Sequence, residues 1–416
     1  MSRVAGAASI TFDQLLRDRA VDMVFQPIVR IDEGDIVGFE ALARGPAGSR
    51  WASAEALFAE AYRVGKAVEL DWVCRLAAAR SFIEAGMPAS IALFVNVEPT
   101  AFGSSCPAEL VEPLTEALTG HGRVILEVTE RSVASAPAEM LRAVEDARRN
   151  SFGVAIDDVG VEPASLAMMP LIQPDVIKLD LSLVQQSHAG ATARIVNAVL
   201  AEAERTGAAI LAEGIESERH LRVAQGMGAT LGQGWYFGKP EPSPPPPPAP
   251  RHPIEFRAAA EAAEAPTPFA AVRERRISQG TEQLLTLLSR HLEDRGFDAM
   301  DPTVLLACFQ DASHFGARTR RRYEQLATRG VFTAVLGRDM PAEPGRGIRG
   351  ARLQPADPIT QEWVVIVVGV QFAAALLARK RGDDADVFDF VVTHDPGAVI
   401  AAARPVIKRI VAAGGP

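Results

Sequence analysis

Cysteine is scarce in this 416-residue chain: Cys74, Cys106 and Cys308 lie far apart, with no CxxC spacing and no companion histidines. This argues against a disulfide framework or a thiolate zinc site and reads as three reduced packing thiols in a reducing compartment. Long apolar runs are lacking as well. The longest, Trp363–Ala378, is interrupted by Gly369 and Gln371 and falls short of the roughly 20 residues needed to cross a bilayer. It reads instead as a buried strand leading into a helix. The N-terminal stretch Met1–Ile10 has one arginine and a weak, broken apolar segment, which is not a signal peptide; the expected location is the cytoplasm. A basic excess is absent: 43 Lys and Arg stand against 52 Asp and Glu, for a net charge of -9. Such a surface does not coat DNA, although it leaves room for a small phosphate-bearing ligand held by metals. Phosphate-cradling glycine loops, haem motifs and paired ligand histidines are missing too, since His291, His314 and His394 stand alone.

What is present is ordinary globular composition, 48% hydrophobic and 23% charged, over a length greater than one core usually fills. Two domains are expected. The sharpest break is Glu241–Pro253, EPSPPPPPAPRHP, whose prolines cannot continue a helix or central strand and read as a stiff polyproline II spacer. Before it, apolar runs occur at Val24–Val29, Ile36–Leu42, Ile91–Val97, Val124–Val128, Gly153–Ile156, Val176–Leu179, Ala208–Ala212 and Leu231–Phe237. Helical patterns fall between them at Ala54–Val64, Asp71–Ala85, Ala138–Asn150, Ala191–Thr206 and Glu218–Met227. This alternation predicts an α/β fold of the TIM-like (β/α)8 barrel type. After the spacer, strands are expected at Thr303–Phe309, Val331–Leu336, Trp363–Val368 and Val387–Thr393. Helices are expected at Ser278–Arg295, Ala317–Thr328, Phe372–Lys380 and Ala398–Ala413, giving a second, smaller α/β domain. The expected division is a barrel over 12–240, a linker over 241–253 and the second domain over 254–416.

The strand ends of the first domain carry, in order, Glu40, Asn96, Glu127, Asp157 with Asp158, Lys178, Glu213 and Gln233. Reactive groups of a (β/α) barrel belong at the C-terminal ends of its strands, so these side chains should converge on one mouth. Singly, an acid after a strand is usually a solvated loop residue or a helix N-cap, and a lone lysine a charge partner inside the barrel. Five carboxylates and two amides at matching places would repel one another unless cations sat between them, and hard oxygen ligands suit Mg²⁺ or Mn²⁺. The chemistry implied is phosphodiester hydrolysis assisted by two metals about 4 Å apart. Lys178 fits a group that orients the attacking water or offsets phosphate charge.

Several segments carry a specific resemblance. FQPIV at Phe25–Val29 and GFEALAR at Gly38–Arg44, with the triplet Glu40, Ala41 and Leu42, are followed by FVNVEP, ILEVTER, IDDVG, PDVIKLD, AEGIE and GQGWYFGKP. In order and spacing, this set resembles the EAL-type cyclic di-GMP phosphodiesterases over nearly all of 12–240. The resemblance implies that Glu40, Asn96, Glu127 and Asp157 hold one metal, that Asp157 and Asp158 serve a second, and that Lys178 contacts the nucleophilic water. It further implies that Glu213 and Gln233 complete the metal and water network, that Gln26, Leu42 and Arg44 contact the nucleotide, and that Glu130 anchors the loop after the Asp pair. Arg44 suits a phosphate through its planar donor fork. The implied cofactor is Mg²⁺ or Mn²⁺ in a two-metal site, the substrate cyclic di-GMP, the product the linear dinucleotide, and the assembly a homodimer.

One stretch departs from the pattern. Where the family reads DDFGTGYSSL, this chain has DDVGVEPASL, with Val159, Val161, Glu162, Pro163 and Ala164 replacing the usual types. Pro163 either stiffens that loop by fixing φ or marks a decayed one. The alternative to a hydrolase is accordingly a receptor that binds cyclic di-GMP without turnover, and a third reading is a scaffold with neither activity. From about Pro266 to Ile410 the chain resembles the DICT domain, a sensory module, through LLACFQDASHF, TRRRYEQLA and WVVIVVGVQFAAALLARK. The cluster Arg318, Arg320, Arg321 and Arg322 beside Tyr323 reads as a solvated helix face or as a site for an anion or partner. The ligand of this domain is unreadable. A diguanylate cyclase is not supported, because no Gly-Gly-Asp-Glu-Phe-like run occurs, and no DNA-binding helix-turn-helix is recognisable.

Overall fold

A computed structural model describes residues 10–118, 123–130, 135–160, 166–186, 190–257, 265–298, 303–382 and 386–410. The departing loop residues Val161, Glu162, Pro163 and Ala164 lie outside the described residues. Eight strands close a barrel in sequence order: β1 (Asp22–Arg30), β2 (Ile36–Arg44), β3 (Ala92–Asn96), β4 (Val124–Thr129), β5 (Gly153–Val159), β6 (Val176–Leu179), β7 (Ala209–Ala212) and β8 (Leu231–Gln233).

The first repeat differs from a strand–helix unit. Between β1 and β2 the chain has only the turn from Ile31 to Asp35, whereas a parallel crossover needs a dozen residues or more. β1 is accordingly antiparallel to both β2 and β8, while the remaining neighbours are parallel. The interior beneath the mouth is filled by Ile28, Phe94, Ile125, Ala155, Val176, Leu211 and Leu231, all fully buried. Gly38 belongs to this layer by having no side chain, since a Cβ there would stand 2.8 Å from the Phe94 ring.

The proline-rich stretch is not a spacer held away from the barrel. Glu241 pairs with the backbone of Phe25, and Arg30 donates to the His252 carbonyl at 3.0 Å. Ile254 is buried against the barrel's interior layer, Phe256 lies over Gly153, and the Arg257 N–H donates to Asp175 Oδ1 at 2.7 Å. The contacts at Gly153 and Asp175 lie at the N-terminal ends of β5 and β6, so the strap closes the barrel floor opposite the mouth. Prolines suit this role because an extended segment without N–H groups can cross a surface while leaving few donors unpaired.

The second domain is built on a mixed seven-stranded sheet in the order β12-β11-β10-β13-β14-β15-β9. Its strands are β9 (Ser278–Thr281), β10 (Thr303–Asp311), β11 (Phe332–Arg338), β12 (Ile348–Arg352), β13 (Glu362–Gly369), β14 (Ala373–Lys380) and β15 (Val387–Thr393). Two expected helices are corrected. The stretch expected as the helix Phe372–Lys380 is strand from Ala373, paired antiparallel with β13 from Val368↔Ala373 to Glu362↔Arg379. Ser278–Thr281 is strand as well, and the helix begins only at Glu282. Helix propensity favours AAALLARK, but burial on both faces decides. Ala373, Ala375 and Leu377 enter one core cluster while Ala374, Leu376 and Ala378 enter the other, and that alternation is the period of a strand.

The two domains share a core. The helix Pro396–Ile407 places Val399, Ala402, Ala403, Val406 and Ile407 in one apolar cluster with Met140, Leu141, Val144, Leu171 and Ile172 of the barrel's outer helices. At its rim, Lys408 Nζ meets Glu145 at 2.7 Å and Arg404 donates to the Leu171 carbonyl at 3.2 Å. Arg349 of β12 donates to the Ser135 carbonyl at 2.9 Å. Among the described residues, no helix is long and apolar enough to cross a membrane.

Candidate metal centre at the barrel mouth

Side chains along a strand alternate in direction, so the residue two positions above an interior apolar residue also points inward. Phe94, Ile125, Ala155, Val176, Leu211 and Leu231 are followed two positions later by Asn96, Glu127, Asp157, Lys178, Glu213 and Gln233. Gly38 leads in the same way to Glu40, and on antiparallel β1 Gln26 stands above Ile28. The polar ring is thus the next layer of the barrel. Register supports this, with Gln26 opposite Glu40 and Asn96 opposite Glu127.

Lys178 is the centre of the ring. Its ammonium is fully buried and lies 2.7 Å from Glu127, 2.8 Å from Asp157, 2.8 Å from Glu213 and 3.8 Å from Glu40. Burial opposes its charge, but Asp157, Glu127, Glu213 and Glu40 together hold its pKa well above the ordinary value. Glu40 is fixed by two amides: Asn96 Nδ2 donates to Oε1 at 3.0 Å, and Gln233 Nε2 donates to Oε2 at 2.6 Å. Gln233 also reaches Gln26 Oε1 at 3.2 Å.

One ammonium does not balance the negative charge around it. Burial, followed by the charge of Glu40, pushes Glu127 well above the carboxylate range. Burial is likewise the main cause that raises Glu213 to about 8, against the pull of Lys178. Asp158 is raised by burial and by Asp157, and it sits in left-handed backbone at φ 59°.

The donor set fits divalent cations. Asp157, Asp158 and Glu213 offer carboxylate oxygens within 4.8 Å of one another. Glu127 Oε2 and Gln233 Oε1 are buried without a hydrogen-bond partner. Oxygen-only donors, unmatched negative charge and orphaned acceptors together describe a site for a hard cation.

The remaining expected residues divide. Glu130 is buried and accepts the Gly160 N–H at 3.2 Å, which ties the end of β4 to the start of the loop after Asp158. Leu42 and Arg44 lie half-buried further along the mouth side of β2, and Arg44 donates to the neighbouring Ala43 carbonyl at 2.8 Å. These two stand apart from the carboxylate ring. Sequence reasoning missed Asp71, a buried acid whose carboxylate reaches the chain just after Asn96. Its only sequence signal is an acid between Leu70 and Trp72 on the buried face of a helix.

The family model of the EAL domain matches residues 11–240. The chain belongs to the EAL domain family. A second model, DICT, described as a sensory domain in diguanylate cyclases and two-component system, matches residues 270–381. The EAL region is 31% identical over 223 residues to the cyclic di-GMP phosphodiesterase RocR of Pseudomonas aeruginosa, covering 52% of this chain and 56% of that protein. It is 28% identical over 243 residues to the probable cyclic di-GMP phosphodiesterase PdeG of Escherichia coli, covering 56% of this chain and 48% of the other. The chain thus spans about half the length of these curated relatives. Among solved structures it is similar to the PaMucR phosphodiesterase in its c-di-GMP complex, with a TM-score of 0.48 and 26% identity over 56% of this chain and 96% of that one.

A cation that binds only the folded EAL domain stabilises it by about 2.7 kcal/mol at a hundredfold excess over Kd. Melting in Mn²⁺ should therefore exceed melting in EDTA by roughly 5 to 10 °C, and Asp157→Asn should remove most of that gain. Equal melting curves with and without the cation would contradict the assignment.

Proposed function

We propose that residues 12–240 are a cyclic di-GMP phosphodiesterase that opens the cyclic dinucleotide to linear pGpG with Mg²⁺ or Mn²⁺, under the influence of the C-terminal domain. The observation that carries this reading is the buried Lys178 ammonium ringed by four carboxylates in a mouth whose candidate metal ligands are all oxygens. The names of RocR and PdeG support the choice of substrate.

Glu40, Asn96, Glu127 and Asp157 are the residues that would hold one cation, with Asp157 and Asp158 holding the second and Glu213 and Gln233 completing the shell. Such cations supply an acidified water and neutralise charge on the phosphate. The chain's own residues do the positioning. Asn96 and Gln233 hold both oxygens of Glu40, which fixes the carboxylate plane before a substrate arrives and lowers reorganisation during reaction. Lys178 stays charged in this surrounding, with its three ammonium hydrogens shared among Glu127, Asp157 and Glu213; it would contact the attacking water only where one of these carboxylates turns to a cation instead. Arg44 suits a phosphate oxygen pair, while Gln26 and Leu42 would line the path of the nucleotide. Glu130 steadies the loop through the Gly160 N–H.

Incubation with cyclic di-GMP and Mg²⁺ or Mn²⁺, followed by chromatography, should yield the linear dinucleotide. Asp157→Asn should reduce the rate by roughly 100-fold or more, as expected for losing a metal that stabilises several kcal/mol of developing charge. Calorimetric binding of intact cyclic di-GMP without product, from folded protein in both metals, would replace the hydrolase with a receptor. The altered residues from Val159 to Ala164 favour that second reading.

Influence of the C-terminal domain rests on its docking against Pro137–Arg149 and Met169–Ile172, the helices that follow β4 and β5. The Lys408–Glu145 pair is partly buried, with side chains 22% and 27% exposed, and is worth about 1 kcal/mol, or roughly fivefold in an equilibrium. Lys408→Glu or Glu145→Lys alone should lower turnover about fivefold, and the double swap should recover most of it. Unchanged turnover in all three variants would sever regulation from this contact.

A further inference from the structure

We infer that Asp71 is a positioning residue that aims Asn96 into the metal centre by holding the chain immediately after β3. The inference rests on the phosphodiesterase reading of the mouth and concerns residues behind it.

Sheet pairing ends where Asn96 ends. β3 is paired to β4 as far as Asn96↔Glu127, and the Val97 N–H still donates to the Glu127 carbonyl at 3.0 Å. The next donor, the Glu98 N–H, has left the ladder. It is taken by Asp71 Oδ1 at 2.9 Å, from the helix Ala67–Glu84 behind the strand. The other Asp71 oxygen meets Arg75, whose guanidinium stacks over the Trp72 ring at 4.3 Å. Trp72 in turn donates to Ser104 Oγ at 3.1 Å and Ser104 to the Ala101 carbonyl at 2.7 Å. From the rim, the Tyr62 hydroxyl donates to the Glu98 carboxylate. The segment that leaves Asn96 is therefore pinned at Val97, Glu98 and Ser104, and Asp71 provides the link nearest the ring after the ladder itself.

A helix does not need this ion pair to fold against a sheet. Asp71 is 1% exposed, and two charges so buried contribute less than apolar side chains of similar volume would. What an apolar residue cannot do is accept the Glu98 N–H in one fixed direction. Asn96 Nδ2 reaches Glu40 at 3.0 Å, and a rotation of its backbone would move a metal donor and release Glu40 together. Outer-shell partners of this kind change metal affinity or activity by roughly 10- to 100-fold when removed.

The test compares Asp71→Ala, Asp71→Asn and Leu76→Ala, the last a buried residue of the same helix outside the network. Asp71→Ala should raise the Mn²⁺ concentration for half-maximal turnover at least tenfold and leave KM for cyclic di-GMP within about threefold, a change worth under 1 kcal/mol. Asp71→Asn keeps an acceptor oxygen and should restore wild-type metal dependence. Leu76→Ala should lower the melting temperature without moving the metal requirement. A folded Asp71→Ala with wild-type metal dependence would overturn the inference, as would an equal shift in Leu76→Ala. If Asp71→Ala does not fold, the double variant Asp71→Leu/Arg75→Leu fills the same space with apolar side chains and carries the same test. If the wild type shows no turnover, the phosphodiesterase reading fails, and calorimetric Mn²⁺ affinity decides Asp71 by itself: a tenfold weakening in the double variant supports the inference, and unchanged affinity overturns it.

Discussion

An ammonium removed from water is stable only where negative charge surrounds it, and crowded carboxylates are stable only where positive charge separates them. Lys178 meets the first condition through its four carboxylates, whereas the carboxylates meet the second only in part, which leaves the mouth short of positive charge. The remainder of the barrel serves to keep that arrangement in register. Each strand delivers one inward polar side chain two positions above the interior layer, so a slip of one residue in any strand would turn its donor out of the mouth. The apolar layer below, sealed at the floor by Ile254, keeps water from entering beneath the charges and makes their mutual interactions strong.

The molecule divides its labour between two ends of the same barrel. The strap leaves β1 at Glu241, which pairs with Phe25, and runs to the floor at Ile254, Phe256 and Arg257, where it contributes to closure of the fold. The C-terminal domain covers the helices after β4 and β5, the two strands that bring Glu127 and Asp157. A domain that shares an apolar cluster with these helices can influence the strand ends they follow without reaching into the site.

Much of the barrel was legible because each strand is a short Val-, Ile- or Leu-rich run that ends on a polar residue, and because the order of those residues identified the ring. Glu40, Asn96, Glu127, Asp157, Lys178, Glu213 and Gln233 were all found in this way. Among the features that were not legible, three have a plain physical reason. AAALLARK has the local preference of a helix, and only burial on both faces makes it β14. The prolines after Glu241 predict extended backbone but not the surface along which it runs. Asp71 acts through a backbone N–H distant in sequence, a contact that leaves no pattern in the chain.

The central claim is that this mouth is an oxygen cage for divalent cations compensated by one buried lysine. Anomalous diffraction from crystals grown with Mn²⁺ and cyclic di-GMP tests it most directly. Strong anomalous peaks are expected among Glu40, Glu127, Asp157, Asp158 and Glu213, with Lys178 still in contact with the ring. A mouth without an anomalous peak at saturating Mn²⁺ would contradict it.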